Sequence, residues 1–337
     1  MTILRAWRDG LGRVLSAPAI WLGMLVVTLV VAAPLGLAVR SSIGSHLGDS
    51  IAADTAASGV NYDWWQEFTS QASGAGVTFT PTIIGFAAVL DNLSAMADNT
   101  PRARIIVGAA TAYLAAWTFL IGGILDRYAR NRRTRALGFF SASGVFFFRF
   151  LRLALLMWIV YYALFDRLHP WLFETYYVSI TRDLTVERTA FIYRAVLYVL
   201  FFAVVAACTL LFDYAKIRAV VEDRRSMLGA LIAAGRFIVR HPLQTAGLYL
   251  VNVASFVAVI AVYALVAPGA GSSGASVWVG FLIAQAYLAM RMLVKLTFYA
   301  SQLALFQQAL AHAPYAAAPL PVWPDSPSAE ALANAAK

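Results

Sequence analysis

One cysteine and a charged fraction of only 13% are the first constraints in this 337-residue chain. A lone thiol, Cys208, excludes a disulfide scaffold and half-sites for zinc, and reads as a small apolar residue inside a hydrophobic run. The four histidines, His46, His169, His241 and His312, are scattered, with no two at metal-ligand spacing. No Gly-x-Gly-x-x-Gly, Walker loop, His-Glu-x-x-His or Gly-x-Ser-x-Gly occurs. These absences lead to the expectation of a non-catalytic protein without cofactor or metal. What is abundant is apolar: 61% of residues are hydrophobic and 13% aromatic. The mean hydropathy is +0.71. Globular chains sit near half apolar and a quarter charged, so the composition indicates membrane spans and excludes disorder as the general state.

Crossing roughly 30 Å of hydrocarbon takes about 20 mostly apolar residues. Six stretches qualify: 19–39, 105–125, 153–165 with its flank 146–151, 191–212, 243–267 and 277–298. The third is the shortest. Residues 77–90 (VTFTPTIIGFAAVL) are too short for a seventh span, contain Pro81 and run into Asp91. An interfacial or re-entrant segment is expected there.

Arginine sets the orientation. Arg5, Arg8 and Arg13 precede the first span, seven arginines from Arg127 to Arg152 lie between the second and third, and Lys216, Arg218, Arg224, Arg225, Arg236 and Arg240 lie between the fourth and fifth. Short basic loops stay cytoplasmic, which places both termini inside. The net charge of +9 is accounted for by this topology and gives no reason to expect nucleic acid. Arginine outnumbers lysine and alanine is plentiful, a composition that suits a bacterial inner-membrane protein.

An internal repeat organises the spans. Arg132-Arg133-Thr134 aligns with Arg224-Arg225-Ser226, and Gly144 with Arg149 aligns with Gly235 with Arg240. Gly12-Arg13-Val14-Leu15 aligns with Gly235-Arg236-Phe237-Ile238, followed by Pro18 and Gly23 against Pro242 and Gly247. The returning spans end in Tyr128-Ala129-Arg130, Tyr214-Ala215-Lys216 and Tyr299-Ala300-Ser301, at spacings of 86 and 85. The expected fold is all-α: six transmembrane helices in three units of basic interfacial helix plus helical hairpin, at about 1–130, 131–216 and 217–301. These form one membrane domain over 1–310, with an outer segment at 41–100 and a disordered tail at 313–337. The repeat also makes the first span a member of the set rather than a signal peptide.

Tyr-Ala after the returning span and Gly-Arg-Phe before the next resemble a diffuse bacterial group of six-span proteins. That group includes the membrane domain fused to glycerophosphodiester phosphodiesterases and many stand-alone relatives. The resemblance covers most of 10–310 and implies a fold, not a reaction. No separate phosphodiesterase domain is expected here, so no catalytic residue carries over.

Scarce charge inside spans marks candidate sites. Arg291 and Lys295 stand at i and i+4 in the sixth span, and Arg291 is about 12 Å above Tyr299 at 1.5 Å per residue. Asp126 and Asp213, ending the other returning spans, are the natural partners. The four form either a structural ion-pair cluster or a positive pocket for an anionic headgroup or solute. Arg225, Arg236 and Arg240 fall within about 60° on a helical wheel. With Arg132, Arg133 and Arg224 they read as interfacial anchors that attract anionic lipid. Trp64 and Trp65 read as an aromatic outer surface, at the headgroup boundary or facing a periplasmic or membrane protein partner. Two functions fit: a permease-like or lipid-translocating protein handling lipid or a small anionic solute, or a membrane scaffold that uses its basic helices and Trp-rich segment.

Overall fold

The structure is a computed structural model describing residues 2–58, 61–80, 82, 85–269 and 275–312. Its helices are α1 (Ile3–Leu15), α2 (Pro18–Leu47), α3 (Ala52–Ser58), α4 (Tyr62–Gln71), α5 (Gly85–Ala97), α6 (Arg104–Arg130) and α7 (Ala136–Tyr162). After them come α8 (Tyr177–Thr181), α9 (Glu187–Val221), α10 (Met227–Arg240), α11 (Pro242–Val266) and α12 (Ala275–His312). No strand occurs among the described residues. Among the described residues six helical stretches are long and apolar enough to cross a membrane: Pro18–Leu47, Arg104–Arg130, Ala136–Thr181, Glu187–Val221, Pro242–Val266 and Ser276–Leu310. The tail expected at 313–337, and Pro81, lie outside the described residues.

Proline explains two breaks. Pro18 and Pro242 occupy the first turns of α2 and α11, where a missing N–H costs nothing and the fixed φ suits a helix start. The residues before them take nearly the same non-helical conformation, Ala17 at φ −130°, ψ 58° and His241 at φ −128°, ψ 48°. Each break turns an amphipathic helix into the long apolar one that follows. The aligned position in the middle unit is Leu151, and there no break forms: α7 runs straight through. The third span is therefore not the shortest. It continues through two π-type turns, Ala163–Leu168 and Trp171–Tyr176, into α8, giving one 46-residue helix. Pro170 sits between the two turns, and wide turns relieve the clash of its ring with the carbonyl one turn back.

Full burial is concentrated at the basic end of the bundle. Tyr128, Tyr214, Ala215, Ile217, Ala300, Leu303 and Phe306 are inaccessible there, with Ala6 and Val14 of α1 beside them. Glycine permits the closest approaches. A Cβ on Gly10 would lie 2.4 Å from the Ser301 amide nitrogen, and one on Gly123 would lie 2.5 Å from Ser143 Oγ, so α1 seats on α12 and α6 on α7 with backbones nearly touching. Asn252 of α11 donates to Ser301 Oγ at 3.0 Å. Toward the other end, Val30, Leu37, Val199, Val262 and Leu265 are exposed, as expected where the surroundings are lipid.

The segment expected outside the spans from 41 begins later, because α2 runs on to Leu47; the described residues after it form the short helices α3, α4 and α5. The described residues of 77–90 form no span: they cover the end of a 3₁₀ turn (Gly74–Thr78) and the start of α5, which is only 13 residues long. Gly85 opens α5 at φ +64°, where the Pro268 carbonyl would leave 2.4 Å for a Cβ, so glycine is required on both counts.

Candidate functional site

Among the described residues no ion pair joins Arg291, Lys295, Asp126 and Asp213 to one another. Asp126 accepts from Arg130 at 2.8 Å and Asp213 from Lys216 at 3.0 Å, each one turn away on its own helix. Neighbours three or four positions along a helix reach each other without straining the bundle, and they outcompete Arg291 across it. Arg291 is exposed and makes no ion pair or hydrogen bond among the described residues. Lys295 faces inward, with Nζ 3.7 Å from the Trp117 ring centroid and 5.4 Å from that of Tyr113. Trp117 packs on Tyr299 at 5.9 Å, and Lys216 reaches the Tyr299 hydroxyl at 3.4 Å. The polar line through the core is thus Asp213, Lys216, Tyr299, Trp117 and Lys295, drawn from α6, α9 and α12. Sequence reading placed Lys216 among the loop charges. The signal was its i+3 spacing from Asp213, which sets the two side chains one turn apart on the same helix face.

Below this line the basic end is laced by arginines. Arg13 donates to Asp9 (3.0 Å), the Tyr128 carbonyl (3.0 Å) and Gln307 Oε1 (2.7 Å), joining α1, α6 and α12. Arg218 donates to the Ala233 carbonyl at 2.5 Å and to Glu222 at 2.6 Å, with its guanidinium 5.3 Å from the Phe306 centroid. Arg224 also donates to Glu222. Arg149 holds Asp223 at 2.5 Å.

Between α9, α10 and α12, Arg218, Arg224, Ala233 and Phe306 border a cleft of about 470 Å³. Arg218, Arg224, Arg236 and Arg240 supply its charge, and Ile232, Phe237, Phe306 and Leu310 its apolar lining. Arg236 and Arg240 are exposed and have no carboxylate partner among the described residues. One glutamate, Glu222, balances four arginines, so the cleft is positive and suited to an anion with an apolar portion. Of the other predicted anchors, Arg132 and Arg133 lie exposed on the α6–α7 connection and Arg225 is exposed beside the cleft.

Burial would raise the Glu222 carboxyl, but hydrogen bonds from Arg218 and Arg224 outweigh it and hold the group below the usual carboxylate range. A carboxyl depressed in the fold adds stability above its unfolded value and loses it as pH falls toward the folded one. Thermal melting in detergent between pH 7 and 3 should therefore show an acid-side loss of stability, and Glu222→Gln should lower neutral stability while flattening that slope. An unchanged slope in the variant would remove Glu222 as its source.

Trp64 and Trp65 are not a free outer surface. Trp64 Nε1 donates to His46 Nδ1 at 3.1 Å and its ring stacks on Phe68 at 5.4 Å, with Phe79 closing the group. Trp65 Nε1 donates to the Phe79 carbonyl at 3.4 Å. Trp64 and Phe68 share one face of α4 at i, i+4 spacing, which turns them onto the end of α2. A second tie went unread in the sequence. Buried His169 Nε2 lies 2.8 Å from the Ala97 carbonyl, and Asn99 donates to the Phe165 carbonyl at 2.8 Å. The wide turns around Pro170 aim both groups at the end of α5. Among the described residues no group of three or more His, Cys, Asp or Glu is placed to hold a metal.

The chain matches no family model, no curated protein and no solved structure. The site's own chemistry carries the functional reading.

Proposed function

We propose that the protein is a non-catalytic, multi-pass membrane protein that holds phosphorylated anions, foremost anionic lipid headgroups, in the arginine-lined cleft beside α10. The observation that carries this reading is the charge of that cleft: Arg236 and Arg240 stand one turn apart, unpaired, over an apolar floor. Arginine matches phosphate geometry through its planar fork. Arginine placement supports a bacterial inner-membrane location with both termini cytoplasmic. The matching conformations before Pro18 and Pro242, and the burial of Tyr128, Tyr214 and Tyr299, support the three-unit repeat. The resemblance to the six-span bacterial group is compatible with the same plan.

The test is binding of the purified full chain to phosphatidylglycerol vesicles, with phosphatidylcholine vesicles as reference and free glycerol phosphate as the solute arm. Each cation near an anionic surface contributes about 1 kcal/mol. Arg236→Gln with Arg240→Gln should therefore weaken vesicle-dependent stabilisation about thirtyfold. Competition by glycerol phosphate would identify a soluble anion as sufficient. Equal binding by wild type and the double variant would overturn the assignment.

A further inference from the structure

A groove of about 640 Å³ opens elsewhere at the basic end, between the first turns of α2 and the facing walls of α6 and α7. Arg127 lines it. This residue is only 6% exposed, and its Nη1 has no hydrogen-bond partner. The neighbouring acids are engaged: Asp126 is paired with Arg130, and Asp9 with Arg13. Arg13, similarly buried, has a full set of acceptors, so the unmet donor on Arg127 is a local property. No acidic side chain lines the groove, whereas Arg133 and Thr134 do. An uncompensated buried guanidinium is strongly disfavoured unless a counter-charge completes it. The first turn of α2, beginning at Pro18, adds the positive end of a long helix dipole at the same wall.

Away from Arg127 the lining becomes apolar: Met24 and Val27 on one side, Leu120, Ile124, Phe139 and Phe140 on the other. From Arg127 to Leu120 is about 10 Å along α6 at 1.5 Å per residue. The groove therefore has a charged end at the basic end of the bundle and an apolar trough running into the span.

We propose that this groove seats one anionic phospholipid, its phosphate against Arg127 and Arg133 and an acyl chain along Met24, Val27, Leu120 and Ile124. Charge complementarity selects the occupant: a net negative headgroup supplies the counter-charge that the surrounding side chains withhold. The inference rests on the reading above that the chain lies in a membrane and engages phosphorylated headgroups, but it concerns a different surface from the α10 cleft.

Gly23 gives a clean probe. It lines the groove, and a Cβ there would meet nothing within 4 Å, so Gly23→Leu fills the trough without displacing a helix. Native mass spectrometry of the full chain, titrated with dioleoyl-phosphatidylglycerol or dioleoyl-phosphatidylcholine, reads lipid retention. Wild type should retain phosphatidylglycerol in preference to phosphatidylcholine. Gly23→Leu and Arg127→Gln should each weaken one class of retained phosphatidylglycerol about tenfold, while Arg236→Gln with Arg240→Gln leaves that class in place. If Arg127→Gln does not fold, Gly23→Leu alone decides. Wild-type retention by Gly23→Leu, or equal retention of phosphatidylcholine, overturns the groove site. If Gly23→Leu is silent while the Arg236 and Arg240 variant loses lipid, the groove fails and the cleft stands; silence in both removes both.

Discussion

Gly10→Leu should destabilise the basic end more than any other single substitution in α1. A Cβ at this position would lie 2.4 Å from the Ser301 nitrogen and 2.5 Å from its Cα. Both are backbone atoms of α12, so no rotamer change relieves the clash and the helices must separate. Overpacking costs about 1–3 kcal/mol when side chains can move. Here about 3 kcal/mol or more is expected, because separation also disturbs Asn252 and Ser301 and the Arg13 bonds to Tyr128 and Gln307. Melting in detergent should fall by several degrees, and Gly10→Ala should show a smaller fall in the same direction. Gly12, two residues on, has open space around its Cβ position, so Gly12→Ala should melt like wild type. Equal melting of the Gly10 and Gly12 variants would show that α1 does not seat on α12 as described.

Asp213→Ala is the second large effect. The pair is nearly enclosed, with side-chain exposures of 7% for Asp213 and 14% for Lys216. Removing one member strands the other charge, which typically costs about 3–5 kcal/mol. Lys216 would retain only the Tyr299 hydroxyl and ring. Replacing both members with apolar residues of similar volume is often neutral. The double variant Asp213→Leu with Lys216→Met should therefore recover most of the lost melting temperature. This comparison separates two roles. If the pair only holds α9 to α12, the double variant binds phosphatidylglycerol vesicles normally. If it melts normally but no longer binds, the polar line from Asp213 to Lys295 takes part in anion handling.

The six long helices were readable because hydrophobic length is a property of the chain alone. The breaks at Pro18 and Pro242 were also readable, since proline acts locally. The third span was misjudged in length: the polar residues of 166–169 interrupt its apolar run, but helical hydrogen bonding continues across them in widened turns around Pro170. Of the six arginines singled out in the sequence, three, Arg224, Arg236 and Arg240, share the cleft with Arg218. Which arginine is satisfied was not readable. Arg13 and Arg127 look alike in sequence, yet Asp9 and Gln307 meet one while the other's Nη1 is left unpaired. Arg291 failed as a cluster member for a related reason. Pairing within a helix is fixed by spacing, whereas pairing across helices depends on rotations that only packing determines. Trp64 and Trp65 were legible as aromatic, but their inward turn depends on His46, Phe68 and Phe79.

Burial at one end has a thermodynamic consequence. The apolar run of α9 closes near Phe212, yet its tightest packing follows, at Tyr214, Ala215, Ile217 and Ala219. Water drives apolar groups together only where water is the alternative, and hydrocarbon offers no such preference between helices. On the membrane placement proposed above, the basic base of the bundle is governed by aqueous thermodynamics, including heat-capacity change and denaturant sensitivity. On the same placement the helices beyond it answer to bilayer thickness, adjusting by tilt. On that placement two solvents act on one chain, and the change from one to the other falls close to the Asp213–Lys216 pair.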